Sequence, residues 1–507
     1  VAAIDVGSNA IRFVAWEFTD ASTSVELDSV RAPVRLGAAA FRTGLLDEET
    51  MERAISTLGS FRRRMDALEI RHYRAAATSA VRDSRNGRDL VKRAREEWKI
   101  HLEPISGREE ARLVWLAIRR SVPLDDREWL LVDLGGGSVE VSLVDARGVR
   151  WSESHLLGTV RLLQELGEEA AGEPAQFRRV LRDHTGMLKF TGAARGVKAA
   201  GLIGTGGNIE ALAELAEVGE KADGLRILSL KKLREAIDTL AGLTPSQRIE
   251  QLGLREDRAD VILPAAMVYE RLMDVTGIDD VIVPCVGVKE GLMLDVVDSL
   301  ISGVTHEQEH ERESFEGALE VGRRYAFDEP HARQVTRLAL SLFDDLRELH
   351  ELDDTDRRIL LGAALLHDIG QFITYRQHHK HSYYLISNAD LPGFSPDQVA
   401  IVALVARYHR RADPKTSHEE YAALEKDERE RVVRLASILR IADALDREHI
   451  QHVEGVRASV AASELRLEIE GTGDLFPEQW ALKKKSKLFR STFDLELCAA
   501  VSDGEPS

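Results

Sequence analysis

Cysteine is nearly absent: Cys285 and Cys498 are the only two in 507 residues. That excludes a disulfide framework and a thiolate-rich metal site. No apolar run approaches the roughly 20 residues of a membrane span, and no basic-then-apolar signal segment opens the sequence. No low-complexity tract appears either. The strand-like opening at Val1 leaves room for a short leader upstream, and the compartment expected is the cytoplasm. Positive charge is in deficit: 68 Lys and Arg stand against 86 Asp and Glu, a net charge of −18. This argues against coating of nucleic acid or adhesion to an anionic membrane, and neither is expected as a partner. A local basic pocket for a polyanion stays open.

The length itself is too great for one core and suggests about three or four domains at ~150 residues each. Short apolar runs at Ala2–Val6, Ile11–Phe18 and Tyr73–Ala77 read as strands, and 50–68 and 90–97 as helices. That mixture predicts an α/β domain over 1–122. After a polar, proline-bearing break at 123–128 the pattern restarts, giving a second α/β domain over 123–303. Asp5–Phe13 aligns without a gap on Asp133–Val141. Each copy is an Asp, a Gly two residues on, then a β-like run, so an internal duplication with a cleft between its halves is expected. From residue 304 to 453 the apolar spacing is helical, after a charged linker at 305–313. Residues 454–507 read as a small α/β tail.

The chemistry concentrates in glycine-rich turns. Gly135-Gly136-Gly137-Ser138 follows Asp133 between two strands. Backbone N–H groups bared by missing Cβ atoms cradle phosphate oxygens, and an Asp at the strand end holds hydrated Mg²⁺. A tight turn that needs positive φ is the plainer reading. Asp5–Asn9, with Ser8 and Asn9, repeats the device, and Arg12 follows it. A third loop, Gly204 to Asn208, precedes a helix whose N-terminus would add its dipole to Gly206, Gly207 and Asn208. Ser106 and Glu109 have the spacing of a capping box, which gives Glu109 a structural task. Glu110, about 100° further round the helix, is free to act as a general base or is a solvated first-turn residue. Arg82 is either a phosphate clamp or a surface arginine.

In order and spacing, Asp5–Asn9, Ala77–Arg82, Ile105–Arg112, Asp133–Glu140, Gly204–Asn208 and Gly287–Gly291 resemble the exopolyphosphatase / guanosine pentaphosphate phosphohydrolase family. The resemblance implies two ribonuclease-H-like lobes of the actin, sugar-kinase and heat-shock-chaperone superfamily. It implies that Glu110 activates water and Arg82 clamps the terminal phosphate. Mg²⁺ or its waters would sit on Asp133 and Glu140, with Asp5, Ser8 and Asn9 across the cleft. Gly135–Ser138 and Gly206–Asn208 would bind phosphate. The implied partners are inorganic polyphosphate, guanosine pentaphosphate or tetraphosphate, and a second copy in a homodimer. Lys289 departs from the pattern, where an Arg is usual; it keeps the charge and loses the fork.

In the helical part, His331, the adjacent pair His367-Asp368 with Gly370 as a helix cap, and Asp443 follow the order of the HD phosphohydrolase superfamily. That resemblance implies an HD-like domain with a second divalent metal on those four residues. The alternative is a set of polar contacts retained in a fold without metal. The clusters His378–His381 and Arg407–Arg411 read as solvated helix faces, or as an outer track for a long polyanion. Several functions remain open at this point. They are a Mg²⁺-dependent exopolyphosphatase, a polyphosphate or nucleotide sensor, a phosphohydrolase working through the HD metal, and a kinase of the same superfamily.

Overall fold

Ala2–Val6 is buried at every position, as expected of a central strand covered on both faces. In the computed structural model it is β1, the middle of a five-stranded sheet of order β3-β2-β1-β4-β5. The others are β2 (Ile11–Phe18), β3 (Ser24–Ala32), β4 (Tyr73–Ala77) and β5 (Leu102–Pro104). The structure describes residues 1–18, 24–164, 179, 181–183, 185, 199–219, 225–302, 306–389, 391–461 and 464–502. The second sheet uses β6 (Trp129–Leu134), β7 (Val139–Asp145), β8 (Gly148–His155), β9 (Leu202–Thr205), β10 (Arg226–Ser229) and β11 (Asp280–Val283). Its order is β10-β11-β9-β6-β7-β8.

The two sheets repeat one plan. In each, three antiparallel strands are followed by two parallel ones, and β10 is added at the far edge of the second. The Asp5–Phe13 and Asp133–Val141 segments occupy the same place in both. Asp5 pairs across to Arg12 and Asp133 to Glu140. Gly7 N–H closes its hairpin on Ala10 O at 3.1 Å, and Gly135 N–H closes the other on Ser138 O at 3.0 Å.

The sheets share a core built from Ala3, Val14 and Ala76 on one side and Leu131, Val144 and Ile203 on the other. Helices Gly107–Ser121 and Val288–Ser302 fill it with Leu113, Val114, Leu292 and Met293. They approach so closely that a Cβ on Gly291 would lie 2.0 Å from Leu113 O. Gly291 is glycine for that crossing.

The chain folds as two compact units, Val1–Val304 and Thr305–Ser507. The second unit begins with helix His306–Arg324, so the segment expected as a linker over 305–313 is helical from His306 onward. Helices Glu329–Asp345, Asp354–Leu366, Pro396–Arg407 and Lys426–Ala444 surround one core. Strands β12 (Val453–Ala461), β13 (Glu464–Gly471) and β14 (Glu496–Ser502) form a small sheet beside them. Residues 454–507, set apart on the sequence as a small domain, bury Leu465, Ile469, Leu482 and Phe489 in that same core.

Candidate active site

Both hairpin turns of the first unit open onto one cavity of about 350 Å³. The first sheet lends it Asp5, Ser8, Asn9 and Arg12; the second lends Asp133, Gly135, Gly136 and Ser138. Gly206, Gly207 and Asn208 enter from the start of helix Gly207–Leu215, and Glu110 from the first turn of Gly107–Ser121. The sequence-predicted residues are therefore brought together, with three exceptions. Gly137, Glu140 and Arg82 stand behind the lining. A Cβ on Gly137 would fall 2.3 Å from Phe41 Cζ. Arg82 Nη1 donates to Ile105 O at 2.8 Å and lies 3.8 Å from Glu110 Oε2, so it faces that carboxylate from behind the cavity.

The glycines have a reason the turn reading did not supply. None of Gly135, Gly136 and Gly137 has positive φ. A Cβ on Gly136 would meet Ser8 Cβ at 3.0 Å and Val160 Cγ2 at 3.1 Å, so the two turns touch across the cleft. Gly206 does need its freedom: its φ is +90°, and a Cβ there would crowd Asp133 Oδ1 at 3.1 Å.

Glu109 differs from its expected role. Ser106 Oγ accepts from Glu109 N–H at 3.1 Å, but the Glu109 carboxylate turns away from the cap. It accepts from Arg74 at 2.9 Å and from Arg112 at 2.6 and 2.9 Å, and both arginines also bind buried Asp295. Glu110 is not the solvated residue of the plainer reading: only 6% is exposed, and Oε2 has no hydrogen-bond partner among the described residues. Burial, then the charges of Glu140 and Asp133, push its carboxyl well above the usual range, against the pull of Arg82. Burial and Glu140 likewise raise Asp133 to about 7, although Thr205 Oγ1 donates to it at 2.9 Å. Glu140 accepts from Ser138 Oγ at 2.6 Å and Ser154 Oγ at 3.0 Å, and its Oε2 is also without a hydrogen-bond partner.

The same cavity holds cations that the sequence reading missed: Arg31, Arg255 and Arg258. Arg31 pairs with Asp257. Burial, and after it the charges of Arg255, Arg31 and Arg12, bring Arg258 down to about 10. Guanidiniums held together against their own repulsion are a site for a multiply charged anion. Asn9 Nδ2 donates to Asp257 O at 3.0 Å, which ties this group to the first hairpin. No local motif announces these arginines; β3 and 255–258 meet the hairpins only through the fold.

In the second unit His331, His367, Asp368 and Asp443 also converge. Asp443 Oδ1 is 3.9 Å from His331 Nε2 and 4.0 Å from His367 Nε2, while its Oδ2 is paired with Lys485. Two readings of this region are corrected. Gly370 is not a left-handed helix cap; a Cβ there would lie 2.2 Å from His378 O, so it permits the next helix to approach. His378, His379 and His409 do not lie on solvated faces: they are 2%, 7% and 1% exposed.

A duplicated α/β fold of the actin and sugar-kinase kind, enclosing carboxylates and arginines between paired turns, defines a phosphate-handling protein. The particular lineage follows from comparison. Residues 22–300 match the Ppx/GppA phosphatase family, and residues 316–494 match domain III of Ppx/GppA phosphatases. The chain belongs to the Ppx/GppA phosphatase family and is a hydrolase of the phosphatase type. It is similar in structure to an exopolyphosphatase from Cytophaga hutchinsonii, with 26% identity and a TM-score of 0.51. That match covers 60% of this chain and 98% of the other. A family member from Aquifex aeolicus matches at 23% identity and a TM-score of 0.49, covering 60% and 98%. Among the described residues no helix is long and apolar enough to cross a membrane.

Proposed function

We propose that this phosphatase is a Mg²⁺-dependent exopolyphosphatase that releases terminal phosphate from inorganic polyphosphate, with guanosine pentaphosphate as a further substrate. The observation that carries the reading is Glu110. It is a buried carboxylate with an unpartnered oxygen and a raised pKa, in the cavity that also collects Arg12, Arg31, Arg255 and Arg258. A carboxylate so placed accepts the proton of an attacking water. The arginines hold successive phosphates in line with it, and phosphoryl transfer needs that positioning more than covalent chemistry.

The carboxylates fit a hard divalent cation. Asp133 and Glu140 face each other across the strands, burial raises both pKa values, and Glu140 Oε2 accepts no hydrogen bond among the described residues. Asp5 stands opposite, held by Arg12 at 2.8 Å. When bound, Mg²⁺ neutralises phosphate charge at this point. Phosphate release from polyphosphate and from guanosine pentaphosphate, each with and without Mg²⁺, tests the reading. Binding of both without turnover would instead make the chain a sensor.

A pH dependence follows. Asp133 titrates near 7 in the fold and about 3.9 in an unfolded chain. Between those values the folded state holds the extra proton, so stability of the metal-free protein falls as pH rises through the window. In chelator the wild type should lose stability relative to Asp133→Asn from about pH 5 to about pH 8, and Mg²⁺ should restore it at the upper end. A stability difference between wild type and Asp133→Asn that does not change with pH in chelator counts against the carboxylate cluster.

The two units are also separable by mutation. His367→Ala with Asp368→Ala should leave hydrolysis of tripolyphosphate largely intact, because Glu110 and Asp133 belong to the first unit. Activity that vanishes in this double variant and persists in Glu110→Gln places the reaction in the second unit.

A further inference from the structure

The glycine turn after β6 has carbonyls as well as N–H groups to satisfy, and the chain leaving β8 meets them. A Cβ on Gly158 would lie 2.2 Å from Gly137 C and 2.3 Å from Ser138 N, so backbone packs on backbone there. From this contact Thr159 N–H donates to Gly135 O at 3.1 Å, and the N–H groups of Val160 and Arg161 donate to Gly136 O at 2.8 and 3.0 Å. The remaining carbonyl, Gly137 O, accepts from the Arg161 side chain, Nε at 2.8 Å. All three glycine carbonyls are thereby turned toward residues 158–161. A trans peptide sets each N–H opposite the carbonyl before it. The N–H groups of Gly136 and Gly137 therefore point away from that segment, and they donate to no protein group among the described residues. Bare N–H groups of this kind are what an anion-binding turn offers.

Arg161 is bound on its other edges too. Its guanidinium lies over the Phe41 ring at 4.3 Å, and Phe41 is the ring that meets Gly137. Its Nη2 pairs with Asp83 Oδ2 at 3.2 Å. Asp83 Oδ1 in turn accepts from Arg82 Nε at 3.2 Å, and Arg82 Nη1 lies 3.8 Å from Glu110 Oε2. A path of direct contacts thus runs from Gly137 O through Arg161, Asp83 and Arg82 to the Glu110 carboxylate. The planar fork is what makes this possible: Nε serves a carbonyl, Nη2 a carboxylate, and the face an aromatic ring, all at once.

We infer that Arg161 is a positioning residue for hydrolysis, which sets the N–H groups of the glycine turn and holds them in register with Arg82 and Glu110. The inference rests on the reaction proposed for this cavity. Arg161 does not itself line the cavity, so it acts through the groups it holds. Attack by a water on Glu110 requires a fixed distance between that carboxylate and the phosphate on the turn, and a misplacement of about 1 Å costs roughly 10²-fold in rate.

The test compares full-length wild type, Arg161→Met, Asp83→Ala and the double variant in three measurements. These are calorimetric binding of inorganic phosphate, the single-turnover rate on tripolyphosphate, and thermal melting. Methionine keeps a stem against Phe41 and loses the polar contacts of the side chain. Arg161→Met should weaken phosphate binding and lower the rate by roughly 10²-fold while melting changes little. Because Arg161 and Asp83 act along one path, the double variant should lose less than the product of the two single losses. Should the methionine variant fail to fold, Arg161→Lys decides: an ammonium keeps the charge beside Asp83 without the fork, so most of the loss should remain. Wild-type affinity and rate in Arg161→Met or Arg161→Lys, or losses that multiply in the double variant, would overturn the inference while leaving the reaction in place. A wild type that neither binds phosphate nor hydrolyses tripolyphosphate would overturn the reading of the cavity itself, and this inference with it.

Discussion

Glu110→Gln should lower the rate of phosphate release from polyphosphate by roughly 10²–10⁴ while substrate binding changes little. Glutamine keeps the shape and the contact with Arg82 but takes no proton. The replacement also removes a buried charge from beside Asp133 and Glu140, so the fold should be no less stable. A second readout belongs to the same variant. Because burial and neighbouring carboxylates raise the Glu110 pKa, the wild type should lose activity on the acid side as this group takes up a proton. That inflection should be gone in whatever activity the variant retains. Single-turnover hydrolysis across pH measures both, and wild-type turnover in the variant would remove Glu110 from the chemistry.

Arg74→Met should destabilise the first unit by about 3–5 kcal/mol, the range for breaking a buried ion pair by removal of one partner. Arg74, Glu109 and Asp295 are 7%, 4% and 3% exposed, and Arg112 closes the group from its solvent side. Without Arg74, Glu109 and Asp295 lose a buried guanidinium that they share and Glu103 loses a partner, while Arg112 still binds the first two. Glu109→Gln should be milder, since one oxygen still accepts from an arginine. Chemical denaturation followed by fluorescence gives the difference directly. A loss under about 1 kcal/mol would mean that water enters and solvates the carboxylates.

These two outcomes show what a linear reading reaches. Asp5, Asp133 and the glycine turns were legible as neighbours because each motif is local: the cavity-lining atoms lie within a few residues of one strand end. The adjacent Glu109 and Glu110 could not be ranked that way. Helical spacing gave Glu109 a cap and left Glu110 as either a general base or a solvated first-turn residue, whereas Arg74, which holds the Glu109 carboxylate together with Arg112, lies far off in sequence. Arg31 and Arg258 escaped notice for the same reason. In the helical unit, His378 and His409 looked like members of basic runs because their neighbours are Lys380, Arg410 and Arg411. A helix turns successive residues to different faces, and these two histidines point inward while much of the charge around them points out. Gly370 was misread likewise: the contact it permits is with a helix, not with its own backbone.

The register of the two hairpins has one more implication. Had both halves of the duplication kept the same residues, the cleft would carry matching charge on its two walls and have no preferred direction. At equivalent places across from Asp5 and Asp133, however, one half bears Arg12 and the other Glu140. That exchange sets the two hairpins apart: Arg12 lies in the cavity wall, held by Asp5, whereas Glu140 stands behind the lining, held by Ser138 and Ser154. The polyphosphate proposed above is the same from either end, so either terminus can enter, and the unlike walls are what distinguish the entering phosphate from the phosphates that follow it.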